Sequence, residues 1–434
     1  MIRRIQALNY RCFRYVDVSL DRFHVLVGPN ASGKSTLFDV VSFLGDMMRD
    51  GLRAAIDSRT RNFQDLAWGR PGVDPRFELA VEMTIPELVR RQLPKGPTGE
   101  DFQAFRYEVA IEERGGEVSV ARERGLLAGD PARPTRRRSP RFPENSKVPT
   151  TITNGGGKRG SRTVFSQERQ GGRVFRPETT PRARKNPVTG IPFGSSGLAA
   201  SPGNISSALY PAASHVIYML AGFGGGVVLD GSRLRRASSL DSDRAFTRDG
   251  ASLPWNVRYL QEIQEDDYRE WIRHVQTVLP ELEGVRVVER EDDRHAYLML
   301  RYANGVEVPS WMTSDGTLKL LALTLLAYLP VADSYPSDRR FLHEIILVEE
   351  PEDGVHPLAL DAIYDSLASV YGGQVLVTTH SPTLLGLAKP EEALCFARTA
   401  DGAIDIVRGT EHPHLKDWHG TADMDLLFAT GVIG

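Results

Sequence analysis

Gly28-Pro29-Asn30-Ala31-Ser32-Gly33-Lys34-Ser35 spell out a complete G-x-x-x-x-G-K-[ST] phosphate loop. The apolar run Phe23 to Val27 leads into it, and a helix predicted from Lys34 to Met48 follows. That is the strand–loop–helix context the motif requires. The glycines let successive backbone N–H groups point inward around phosphate oxygens, and the helix start adds a partial positive charge. The pattern assigns Asn30, Ala31, Ser32, Gly33, Lys34, Ser35 and Thr36 to nucleotide binding, with Lys34 reaching the β- and γ-phosphates and Ser35 ligating Mg²⁺. The competing reading is an ordinary Gly-rich turn, but only 8 residues of the chain are Lys, which makes an accidental match uncommon.

Working outward, the 434 residues are enough for two or three domains and a large core. The net charge of −3 points to no nucleic-acid or membrane partner for the molecule as a whole. Cys12 and Cys395 are the only cysteines, far apart and in no metal-like spacing, which fits a reduced compartment and excludes a disulfide scaffold. No secretory signal follows Met1-Ile2-Arg3-Arg4, and the longest apolar run, Leu318 to Pro330, is too short to span a bilayer. These features predict a cytoplasmic protein.

Alternation predicts strands over Ile2–Tyr10, Tyr15–Leu20, Phe77–Ile85 and Phe105–Ile111, as an antiparallel side sheet. From about Ala121 to Pro202 Pro, Gly, Ser and Arg dominate and apolar periodicity vanishes; residues 121–190 hold 17 Lys/Arg against 5 Asp/Glu. Such a segment buries too little apolar surface to offset its ordering entropy, so a flexible insert is expected. Its charge excess allows two readings, a solvated loop or a non-specific contact to DNA or RNA. Helical spacing returns at Asn204 and is clear from Asn256 to Leu279; Val285–Val288 and Ala296–Tyr302 read as strands, and Leu318–Leu329 as a buried helix. Glu344–Val348 and Gln374–Thr378 are continuously apolar, as central parallel strands are. The expected units are 1–120 (first half of the nucleotide domain), 121–202 (basic insert), 203–284 (helical lobe) and 285–434 (second half).

Ile345-Ile346-Leu347-Val348-Glu349-Glu350 is an apolar strand ending in two carboxylates. A carboxylate at such a tip holds the Mg²⁺ water shell, here Glu349, and the next polarises the attacking water, here Glu350. A solvated strand end would look similar. His380, in Thr378-Thr379-His380-Ser381-Pro382, follows the next strand and could sense the γ-phosphate, or be a surface His in a turn. Ser314-Asp315-Gly316-Thr317 precedes the Leu318 helix and reads either as an anion site or as a plain N-cap. Arg269-x₄-His274 and Arg290-x₄-His295 match a spacing seen in some ribonuclease toxins, but two matches among 45 Arg are unsurprising.

In this order the elements resemble the ATP-binding-cassette (ABC) ATPases of the SMC and RecF type, in particular stand-alone AAA-family ATPases related to OLD (overcoming lysogenisation defect) proteins. The likeness rests on Ile2–Ile5 through Asn9–Phe13, on Val27–Thr36, on Ser314–Leu318, on Val348–Glu352 with Gly354–Pro357, and on Thr379–Ser381. It covers about residues 1–120 and 255–420. The resemblance implies an ABC-ATPase (P-loop NTPase) α/β fold with a central parallel sheet, a homodimer holding ATP and Mg²⁺ between protomers, and Ser314, Asp315, Gly316 and Thr317 acting in trans. It also implies a glutamine that senses Mg²⁺, for which Gln64 is the candidate. Glu349 stands where Asp is usual, and about 50 residues follow His380, which leaves no room for the nuclease domain of full-length OLD proteins. The function implied is slow ATP hydrolysis as a switch in prokaryotic anti-phage defence or DNA maintenance, with a separate effector or nuclease. The alternatives are a scaffold that restrains an effector with little turnover, and a RecF-like repair ATPase.

Overall fold

A computed structural model of the chain describes residues 1–129, 141–144, 147–153, 160–169, 173–180, 186–187, 206–223, 225–239, 245–331, 345–413 and 415. In chain order the strands begin with β1 (Ile2–Tyr10), β2 (Phe13–Ser19), β3 (Phe23–Val27), β4 (Arg76–Thr84), β5 (Ala104–Arg114), β6 (Glu117–Ala128), β7 (Arg162–Glu168), β8 (Val174–Phe175) and β9 (Asn186–Pro187). They continue with β10 (Leu282–Glu289), β11 (Ala296–Tyr302), β12 (Glu307–Pro309), β13 (Ile345–Glu349), β14 (Gln374–Thr378), β15 (Ala393–Arg398) and β16 (Ile404–Arg408). The helices are α1 (Lys34–Asp57), α2 (Glu87–Arg90), α3 (Pro211–Ala221), α4 (Gly231–Arg235), α5 (Leu253–Ile263), α6 (Glu265–Gln276), α7 (Asp315–Leu325), α8 (Leu360–Ala368) and α9 (Pro382–Leu387).

The strand before the phosphate loop lies at the centre of a five-stranded sheet in the order β13-β14-β3-β15-β16. Four strands are parallel and β16 closes one edge antiparallel. Alternate residues of these strands enter opposite cores. Leu26, Leu347 and Leu376 pack on the α1 side; Val25, Val27, Val348 and Val377 pack on the side of α7 and α8. Burial on both faces is the reason these strands are apolar without alternation.

The second layer is an eight-stranded sheet, β2-β1-β4-β5-β6-β7-β8-β9. One face carries Phe77, Leu79, Phe105 and Val109 into the α1 core. The other face is buried yet charged, with Glu78, Glu82, Arg106 and Glu108, and the segment 147–153 bonds to Glu78 and Arg106. Arg106 bridges Glu82 and Glu108, and Glu78 accepts from Thr151 Oγ1 and from the backbone of Ile152 and Thr153. Burying such carboxylates is tolerated only because each is paired.

The boundary expected at 121 falls inside a strand. β6 runs unbroken from Glu117 to Ala128, and β7 pairs with it, so Leu127, Val164 and Phe165 join the first core. Of the expected flexible insert, residues 130–140, 145–146, 154–159, 170–172, 181–185 and 188–202 lie outside the described residues. The expected helical lobe is also divided. α3 packs in the first core, whereas α5 and α6 cover the three-stranded sheet β10-β11-β12 in the second. The single helix read from Asn256 to Leu279 breaks at Gln264 (φ −132°, ψ 58°). Glu265, Asp266 and Asp267 follow immediately, and three acids favour a new helix start over a helix middle.

Candidate functional site

The phosphate loop follows β3 at the carboxyl end of the parallel strands, where α/β sheets bind ligands. Gly33 takes a left-handed φ of 94°, a conformation open to glycine at little steric cost, and the chain turns there into α1. Lys34 is buried and folds back so that Nζ donates to the carbonyls of Gly28 (2.6 Å) and Pro29 (3.1 Å). Burial lowers its pKa from 10.5 to about 8, with the charge of Glu350 opposing the fall. The Ser32 hydroxyl is buried without a hydrogen-bond partner. Ser35 is exposed in the first turn of α1. Thr36 points elsewhere, its Oγ1 lying 3.3 Å from the Cys12 thiol.

This arrangement fits a nucleoside triphosphate with Mg²⁺. A buried ammonium and an unpartnered buried hydroxyl both call for an anion, and they stand at the start of a helix with several turns behind it. Among the described residues no three or more His, Cys, Asp or Glu side chains gather into a group able to hold a metal. A cation here would draw on Ser35, Glu349 and phosphate oxygens, the ligand set Mg²⁺ accepts.

β14 lies between β3 and β13, so the two carboxylates end β13 two strands from the loop. Glu350 has a left-handed φ of 46°. Its N–H donates to Thr378 O (2.9 Å) and its carbonyl accepts from Asp353 N (3.0 Å), which ties the acidic turn to the end of β14. Glu350 Oε1 lies 3.7 Å from His380 Nε2. Lys34, Glu350 and His380 are thus brought to one end of one sheet.

Glu352 is the residue whose role sequence reasoning missed. Its Oε1 accepts from Thr379 Oγ1 (2.6 Å), His380 N (2.8 Å) and Ser381 N (3.0 Å). Those partners are 27 to 29 positions away, so no local pattern marks the contact.

Ser314 caps α7, accepting from Thr317 N at 3.1 Å and pairing with Thr317 Oγ1 at 2.8 Å. Asp315 pairs with Arg235 Nε (2.9 Å), an arginine that also donates to Thr313 O (3.2 Å). Gly316 has to be small: a β-carbon there would stand 2.7 Å from Gly354 O. Lys319 Nζ donates to Asp353 O (2.7 Å). Ser314–Thr317 therefore rest on the acidic turn of their own chain, and no hydrogen bond or ion pair among the described residues joins them to the phosphate loop.

Gln64 lies in a short 3₁₀ turn (Phe63–Leu66) that is fastened to the end of β1 through Arg11 N to Leu66 O and Trp68 N to Asn9 O, both 2.9 Å. Glu349 is bordered by the segment 226–228. Val227 N donates to Leu347 O (2.6 Å), Glu349 N donates to Val227 O (3.1 Å), and the Glu349 carboxylate packs on Gly226. The run Gly225-Gly226-Val227-Val228 is the one sequence signal for this neighbour. The two Arg-x₄-His matches form no site. Arg269 pairs with Glu265 while His274 meets Tyr328, and Arg290 and His295 close a hairpin.

A family profile described as "AAA domain, putative AbiEii toxin, Type IV TA system" matches residues 23–152 and 229–386. The chain is similar to the Old nuclease of Escherichia phage P2, at 28% identity over 91 residues, which make up 20% of this chain and only 16% of that protein's length. It is also similar to an SMC head bound to the C-winged helix domain of ScpA, with 13% identity over 94% of this chain and 97% of that one and a TM-score of 0.48. A third likeness is to the SMC head domain from Thermotoga maritima, with 12% identity over 94% and 98% of the two chains and a TM-score of 0.38. The chain belongs to this AAA domain family.

Proposed function

We propose that the chain binds Mg·ATP and hydrolyses it slowly as a homodimeric switch, acting in anti-phage defence or DNA maintenance with a separate effector or nuclease. The observation that carries this reading is the convergence of Lys34, Glu350 and His380 at one end of the parallel sheet. Lys34, Ser32 and the loop N–H groups would hold phosphate, and Ser35 and Glu349 would hold Mg²⁺. A metal held there would supply positive charge to offset the charge that develops on the phosphate. Glu350 takes the proton of the attacking water, and His380, beside it, reports the γ-phosphate. Ser314–Thr317, which rest on the acidic turn, would meet a partner's nucleotide. The defence setting is supported by the family description and by the Old nuclease likeness. Basic residues of 121–202 would supply any contact to DNA or RNA. Among the described residues no helix is long and apolar enough to cross a membrane. The second reading, a scaffold with little turnover, draws on Glu349 standing where the shorter Asp is usual.

Lys34→Ala tests the first step. It removes charge-assisted bonds worth roughly 1.5–3 kcal/mol each, so ATP affinity should fall by about 10²-fold. Equal affinities of wild type and variant by calorimetry would overturn the reading. The depressed Lys34 pKa adds a second expectation. Phosphate favours the charged ammonium, so binding raises this pKa. Affinity is then fully present below about pH 8 and declines, towards roughly tenfold per pH unit, above it. Proton uptake on ATP binding at pH 8.5, measured by calorimetry in buffers of different ionisation enthalpy, checks the sign.

A further inference from the structure

Glu352 gathers three donors on one carboxylate oxygen, and all three belong to the loop that carries His380. Two are consecutive backbone N–H groups at the end of a parallel strand, a nest that binds an anion. The anion here is a side chain from the acidic turn, two residues beyond Glu350. The His380 backbone is thereby fixed relative to the Glu350 backbone, which is itself bonded to Thr378. We propose that Glu352 is a positioning residue for hydrolysis: it holds His380 where its imidazole stands 3.7 Å from the Glu350 carboxylate. The proposal rests on the functional reading given above, in which Glu350 is the base and His380 the phosphate sensor. Glu352 acts only through His380. The same turn carries Asp353 and Gly354 against Lys319 and Gly316 of α7.

The test is a double-mutant cycle on ATP turnover in the full chain. Glu352→Ala is expected to lower kcat by about 10-fold or more while leaving ATP affinity within about twofold, since every group that holds phosphate stays in place. Glu352→Gln keeps an acceptor oxygen for the three donors and should recover most of the rate. The deciding comparison is Glu352→Ala/His380→Ala against His380→Ala: the two should turn over alike, because the first residue acts only through the second. A merely structural glutamate would give additive losses, and Gln would rescue the melting temperature without the rate. Additive losses, or a Glu352→Ala enzyme as fast as wild type beside an impaired His380→Ala, overturn the proposal alone. A wild type without ATP turnover, or a His380→Ala variant with wild-type turnover, overturns the functional reading and the proposal with it.

Discussion

Glu350→Gln is expected to slow ATP turnover by about 10²–10⁴-fold with ATP affinity retained, the usual cost of removing a general base. The side chain is half exposed at the tip of β13 and its carboxylate faces His380, so it is open to water. The amide matches the carboxylate in size and leaves the backbone bonds of residue 350 to Thr378 and Asp353 in place, so folding should be unchanged. Removing one negative charge near Lys34 takes away an attraction that raises the lysine pKa, a small effect on binding below pH 7. Trapped ATP should then hold protomers together. Sizing chromatography in ATP is expected to show a larger species for Glu350→Gln than for Lys34→Ala. Unchanged turnover would move the base elsewhere, and an unchanged elution volume would count against the composite site.

The parts legible in the sequence are those whose contacts are local or whose environment is uniform. The loop from Gly28 to Ser35 is set by its own spacing. β13 and β14 are legible because both faces are buried, which leaves no polar position to confuse the pattern. The antiparallel sheet is only half legible. Glu108, Glu112, Arg122 and Glu123 look like solvent-facing positions, yet three of them are buried. Glu112 accepts from Arg76 and Arg169 and Glu123 from Tyr107, partners too distant in the chain for a short window of sequence to contain. The same holds for Glu352, for the Arg235–Asp315 pair and for Gly226 beside Glu349. Each contact joins residues far apart in the chain. Composition averaged over 121–202 hides most of β6 and all of β7, β8 and β9, because the Arg-rich stretches dilute Leu126, Leu127, Val164 and Phe165.

Deleting Gly125–Pro192 and joining the ends by a short linker is therefore expected to abolish cooperative unfolding, the reverse of what an unstructured insert predicts. Leu126, Leu127, Val164, Phe165 and Phe175 are each at least 97% buried. At roughly 1.5–3 kcal/mol apiece they approach the whole stability of a domain. The deletion also removes Glu178, which is buried at the start of α3 and accepts from Ala212 N (2.6 Å) and Ala213 N (3.0 Å). Burial pushes the Glu178 pKa up to about 7, yet both bonds need only an acceptor, and without it two helix-end donors are left unpaired beneath Tyr210. Calorimetric melting should show no transition for this variant. A deletion confined to 130–140 touches none of these groups and should keep the transition within a few degrees of wild type. That shorter variant separates fold from nucleic-acid contact, because it removes Arg133, Arg136, Arg137 and Arg138 while sparing the sheet. If those arginines bind DNA, affinity should fall and the slope of log K against log salt should flatten by about 0.9 for each phosphate they neutralise. A shorter variant that folds, binds ATP and keeps the wild-type slope would leave the basic segment without a role on DNA and favour the effector-scaffold reading. A large deletion that still melts cooperatively would show that β7 and β8 are dispensable to the first core.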